Sequence, residues 1–261
     1  MAVLILVLCL NNAIVDSAFV LLLSIMGVYE YNKCFKAKGY NPISIIGYIS
    51  CFGTLLLGAN IDVLTKINII AISIPILLTI MFSYIVIKKL KVNIIDVVIT
   101  FFSIIYVPFL FSFIKLLFLM PHGRIFVILA FASSISTDTF AYEIGSRLGK
   151  HKLSEVVSPK KSIEGSIAGI IGSTIICSIV AVITNTYFGT NFNIILIAIM
   201  GFILSIVGQI GDLAASSIKR FCGVKDFSNI MPGHGGILDR FDSVMFIAPI
   251  LYSFIYLFNL I

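Results

Sequence analysis

Between Asn93 and Phe118 only Asp96 and Lys115 are charged. Crossing a bilayer as a helix takes about 20 predominantly apolar residues, so this run is long enough to do it. In lipid every backbone N–H and C=O must find its partner within the protein, which leaves helices or closed barrels. Barrel strands alternate polar and apolar positions over about ten residues, and no such alternation is present. Apolar runs recur at roughly 2–13, 15–32, 43–59, 66–87, 93–118, 124–141, 163–184, 193–215 and 243–261. The expected fold is therefore all-α: a polytopic integral membrane protein with about nine transmembrane helices. The polar stretch NNAIVDSA at 11–18 reads either as a turn between the first two runs or as a break in one tilted helix.

Composition excludes the soluble alternative. The chain is 59% hydrophobic and 11% charged, against about 25% charged residues in an ordinary soluble domain. The net charge of +6 does not point to nucleic acid, because the basic residues lie in short loops between apolar runs, as membrane orientation demands. With the N-terminus inside, all of the 18 Lys and Arg except Lys66, Lys115 and Arg124 fall in inward loops. Asp62 and Asp96 lie at loop edges, where water can reach them, and read as structural. The five cysteines show no metal spacing and read as small hydrophobes. The N-terminus carries no basic segment and no small-residue cleavage site, so no cleaved leader is expected.

Two inward loops differ from the others. Loops 33–42 and 88–92 carry lysines and little else, whereas 142–162 and 216–242 add acids, glycines, prolines and hydroxyls. Asp138 and Asp212 adjoin them at the ends of apolar runs, where a carboxylate is costly and a functional candidate by default. The expected division is an N-terminal transmembrane region, 1–122, and a C-terminal catalytic region, 123–261, whose site on these two loops faces the cytoplasm.

Helical spacing puts Asp138, Tyr142, Gly145 and Gly149 on one face, with the glycines allowing close approach of a backbone or ligand. Downstream, SPKKSIEG offers Ser158, two lysines suited to phosphate oxygens (Lys160 and Lys161), a helix start at Ser162, and Glu164. A solvated basic loop accounts for the same residues. In the second loop Asp212, Ser216 and Lys219 share a face, Arg220 adjoins them, and a glycine before Lys225 and Asp226 ends the helix. The segment PGHGG at 232–236 cannot be regular helix. Its glycines can expose N–H groups as an anion nest. A new helix near Ile237 then sets Asp239 and Asp242 on one face, beside Arg240. Carboxylates of this kind suit Mg²⁺, and the cations suit phosphate. A loop pinned by salt bridges is the plainer reading, although surface pairs contribute only about 0–1 kcal/mol and do not require such a hinge.

The run Ser216-x-Ile218-Lys219-Arg220, Lys225-Asp226, then Pro232-Gly233-His234-Gly235-Gly236-x-x-Asp239-Arg240-x-Asp242 resembles the signature of the phosphatidate cytidylyltransferase (CDP-diacylglycerol synthase) family. The block AYEIGSRLGKHKL with SPKKSIEG resembles a second conserved block, and VYEY at 28–31 fits the family pattern. Two departures are visible: Ser162-Ile163 replaces a threonine and an aromatic, and no basic residues precede the first run.

The resemblance implies CTP + phosphatidate → CDP-diacylglycerol + pyrophosphate, in phospholipid biosynthesis at the cell membrane. It implies Asp212 and Asp239 as ligands of Mg²⁺ or another divalent cation, with room for a second ion, and Asp226 and Asp242 in support. Lys219, Arg220, Lys225 and Arg240 would hold phosphates, and His234 would donate to one or position the loop. Asp138, Tyr142, Lys150, Ser158, Lys160, Lys161, Glu164, Ser216, Gly233, Gly235 and Gly236 would border the substrates. Partners are then CTP, phosphatidate and membrane lipids, with no nucleic acid; a homodimer is compatible with the sequence. The alternatives are a CTP-dependent polyprenol or phytol kinase, a cytidylyltransferase for another lipid phosphate, and a secondary transporter of an anion.

Overall fold

The structure is a computed structural model and describes residues 7–10, 12–57, 62–88, 92–230 and 235–258. Its helices are α1 (Ala13–Ala37), α2 (Ser44–Leu57), α3 (Val63–Ile87), α4 (Ile94–Ile104), α5 (Leu110–Phe118), α6 (Gly123–Leu148), α7 (Ile163–Phe188), α8 (Ile194–Cys222) and α9 (Leu238–Leu257). A single π-helical turn, Ile105–Phe109, joins α4 to α5 and contains Pro108; a π turn is one way a helix absorbs a residue that cannot donate. Strands β1 (Lys152–Ser154) and β2 (Ser158–Ser162) pair antiparallel.

Seven helices among the described residues are long and apolar enough to cross a membrane, counting Ile94–Phe118 as one, and Ser44–Leu56 is a shorter apolar helix. The chain is a multi-pass α-helical membrane protein. The expected nine spans are not reached among the described residues. Half of the first run, 2–13, falls outside them, and the described part of the run 43–59 is helical for 14 residues. Asn12 caps α1 by accepting from the N–H of Ile14 at 2.8 Å, so a helix begins at this polar stretch. Several helices outrun the apolar windows, with 15–32 becoming Ala13–Ala37 and 124–141 becoming Gly123–Leu148. Hydropathy marks only the lipid-facing length, whereas a helix continues through its charged ends.

The chain divides into two compact units. The first comprises Met1–Leu116 and Cys222–Leu238. Its apolar core includes Ile43, Ile46, Met81, Ile85, Val92 and Val97. Asp96 is buried rather than solvated. It forms a capping box with Asn93 and accepts from the N–H of Asn41 at 2.6 Å, so its role is structural. Asp62 caps α3 through Thr65. Lys115 is buried and donates to the carbonyl of Leu55 near the end of α2, at 3.1 Å.

The second unit comprises Leu117–Phe221 and Asp239–Ile261. Helices α6 and α7 lie backbone to backbone. A Cβ at Gly165 would come within 2.6 Å of the Ala141 carbonyl oxygen and 3.0 Å of the Gly145 Cα. The glycine face expected to admit a backbone or a ligand thus admits the backbone of α7. Buried hydroxyls tie the helices together: Ser133 to Ser173 at 2.8 Å, and Thr137 to Ser205 at 2.8 Å. Interhelical hydrogen bonds of this kind are the usual glue where lipid removes the hydrophobic drive to associate. Gly211 does for α8 and α9 what Gly165 does for α6 and α7: a Cβ there would lie 2.7 Å from the Asp242 carbonyl oxygen.

Candidate functional site

Ser162 starts α7 by accepting from the N–H of Gly165 at 3.2 Å. The segment before it, expected as loop, is the strand β2, with Pro159 one residue in. Proline is tolerated in a short edge strand because no ladder donor is required of it there. The hairpin turns Lys161 back over the second unit, where its ammonium forms an ion pair with Asp212 of α8. One helical turn further along α8, Ser216 donates to the same carboxylate at 3.5 Å. At the next turn Lys219 donates to Asp239, the second residue of α9, at 2.7 Å. That pair is nearly dry, with the two side chains 10% and 7% exposed.

Lys161 is where the charges of this unit converge. Burial pushes its pKa below the ordinary lysine value, Asp138 and Asp242 pull it back up, and Lys219 pushes it down. Four carboxylates (Asp138, Asp212, Asp239, Asp242) therefore share a region with two lysines. Close contact of α8 and α9 at Gly211 brings Asp212 and Asp242 to the same level. Gly211 was not among the expected site residues; its signal in the sequence is the small-residue spacing of Gly208 and Gly211 just before Asp212. No cage of three or more His, Cys, Asp or Glu side chains occurs among the described residues.

The other expected residues differ in their surroundings. Glu164 is engaged by its own loop, accepting from His151 Nδ1 at 2.6 Å and from the backbone N–H groups of Lys150 and His151. Tyr142, Lys150 and Lys160 are exposed and Ser158 is half-buried. Arg220 and Arg240, the neighbours in sequence of Lys219 and Asp239, are both exposed. Lys225, Asp226, Gly235 and Gly236 belong to the first unit. Lys225 and Asp226 are exposed after Gly223, whose positive φ of 74° ends α8. Gly233 and His234 lie outside the described residues.

The first unit contains a polar group that was not among the expected site residues. Glu30 on α1 is fully buried. Its Oε1 accepts from Ser228 Oγ at 2.6 Å and from the N–H of Ile237 at 2.9 Å, and its Oε2 accepts from the N–H of Leu238 at 2.8 Å. The N–H groups that hold this anion are those of Ile237 and Leu238, just after the glycines from which an anion nest was expected, and the anion belongs to the protein. The legible signals were a lone carboxylate within an apolar run and a helix start, GGIL, without a capping side chain.

A multi-pass helical membrane protein that gathers its acids and lysines in such a gapped motif is a phosphate-handling enzyme of the bilayer in type. The cytidylyltransferase family model matches residues 1–258, and the chain belongs to that family. It is 40% identical over 212 residues to a phosphatidate cytidylyltransferase of Staphylococcus saprophyticus, covering 80% of this chain and 78% of that one. It is 38% identical over 216 residues to a protein of the same name from Staphylococcus aureus, covering 80% and 78%. With a third, from Staphylococcus epidermidis, it shares 35% over 249 residues, covering 93% and 90%.

Proposed function

We propose that this chain transfers the cytidylyl group of CTP to phosphatidate. A phosphate oxygen of the lipid attacks the α-phosphorus of CTP. The new O–P bond forms as the bond to the β-phosphate breaks, and pyrophosphate leaves with the electron pair. The nucleophile is already ionised at neutral pH, so no strong base is required. The barrier is the approach of two anions, and stabilising such charge usually contributes most to catalysis. The observation that carries the reading is the pair of ion pairs Lys161–Asp212 and Lys219–Asp239 within one unit, on the residues of the gapped motif. Relatives over most of the chain share the activity's name.

Lys161, Lys219, Arg220 and Arg240 bind the phosphates of CTP and of the departing pyrophosphate. Asp212 and Asp239 would hold Mg²⁺ or a similar cation. The fit is of the open kind, since Mg²⁺ takes one or two carboxylates together with substrate phosphates rather than a protein-only cage. When bound, such a cation neutralises charge on phosphoryl oxygens. The site faces the cytoplasm in this reading, which the bias of Lys and Arg toward one set of loops supports and which gives soluble CTP access while the acyl chains stay in the bilayer.

The test is to supply the purified protein with phosphatidate, Mg²⁺ and CTP labelled at the α-phosphate. Label should enter a lipid product as pyrophosphate is released. Release of CDP, with a γ-phosphate label entering the lipid, would instead make the protein a lipid kinase.

A further inference from the structure

Helix α9 begins without a cap of its own. The residue before Leu238 is Ile237, which has no side-chain acceptor, although the first N–H groups of a helix need one. A carboxylate from α1 takes that place. Glu30 accepts from both Ile237 and Leu238 at 2.8–2.9 Å, where the helix dipole also favours negative charge. The same carboxylate accepts from Ser228. Two glycines make room for this. A Cβ at Gly236 would meet both Glu30 carboxylate oxygens at 2.6 Å, and one at Gly27 would lie 3.1 Å from Leu238 Cδ2. A buried carboxylate is expensive unless its lone pairs are filled, and three donors fill them.

We infer that Glu30 is a positioning residue for the reaction: it sets where α9 starts, and Asp239 follows Leu238 directly in sequence. Glu30 acts through that backbone. The inference rests on the cytidylyltransfer reading above.

The experiment compares wild type with Glu30→Gln by steady-state kinetics and by amide exchange. The amide retains one acceptor oxygen but turns an NH₂ donor toward a backbone N–H. The expected result is a kcat lower by about ten- to a hundredfold, since misplacement on the order of 1 Å costs that much, with KM for CTP and for phosphatidate within about threefold. The amides of Ile237 and Leu238 should exchange faster, and those of α6 and α7 should not change. A merely structural Glu30 would lower the thermal midpoint and leave kcat per folded molecule intact, and that outcome overturns the proposal. So does unchanged exchange at Ile237 and Leu238. If Glu30→Gln does not fold, Ser228→Ala decides, because it removes one of the three donors; wild-type kcat together with wild-type exchange would overturn the proposal. The exchange arm needs no substrate, so a wild-type chain that made no CDP-diacylglycerol would sink the functional reading separately.

Discussion

Lys219 donates to the Asp239 carboxylate at 2.7 Å, and both side chains are almost completely buried. Removing one partner of a buried pair leaves the other charge uncompensated, at a cost of about 3–5 kcal/mol. Lys219→Met should therefore lower the thermal midpoint in detergent. Lys219→Met combined with Asp239→Asn should recover most of that loss without restoring turnover. A double variant as unstable as the single one would mean that the pair is not what holds α8 and α9 together at this point.

Asp212 and Asp239 sit on two helices, each bound by a lysine from another element. Asp212→Asn and Asp239→Asn should each reduce turnover by about two orders of magnitude or more while the protein still inserts and purifies. Titrating Mg²⁺ against each variant gives a second readout, because loss of a ligand should raise the concentration needed for half-maximal rate. Full activity in Asp239→Asn would remove that residue from the site.

Lys161 provides a pH test with a definite sign. Its folded-state pKa lies below that of an ordinary lysine, chiefly through burial, with Asp138 and Asp242 opposing. As pH rises through that lowered value the ammonium is lost, so substrate affinity should weaken earlier on the alkaline side than an exposed lysine would allow. Stability should move the other way. In the window between the folded and unfolded values the unfolded chain binds more protons, so this group's contribution to stability grows with pH. Lys161→Arg should shift the alkaline limb of the KM profile to higher pH, and an unshifted limb would assign it to another group.

The tip of the hairpin between β1 and β2 reports sidedness. Val156 there is 82% exposed. In a Cys9→Ser background, which removes the exposed native cysteine, Val156→Cys should react with an impermeant maleimide in inside-out vesicles and not in right-side-out ones. The opposite pattern would contradict both the loop charge bias and a cytosolic source of CTP.

Much of this protein was legible without coordinates. Apolar runs longer than a bilayer is thick, few charges and a bias of Lys and Arg toward one set of loops determine a multi-pass helical membrane protein, because lipid leaves the backbone no other solution. The helix start at Ser162 and the stop at Gly223 follow from local capping and glycine chemistry. The motif residues from Asp212 to Asp242 stand out because polar groups at a membrane boundary require a reason. Tertiary structure alone decided how these groups pair. Lys161 reaches Asp212 because SPKKS folds as a strand that returns over α8, and Gly211 matters because α9 crosses α8 backbone to backbone. Glu30 meets Ser228 across 198 positions, a contact that no local pattern encodes. Periodicity and capping act over a few residues, whereas a buried carboxylate takes its donors from whichever segment packing brings to it.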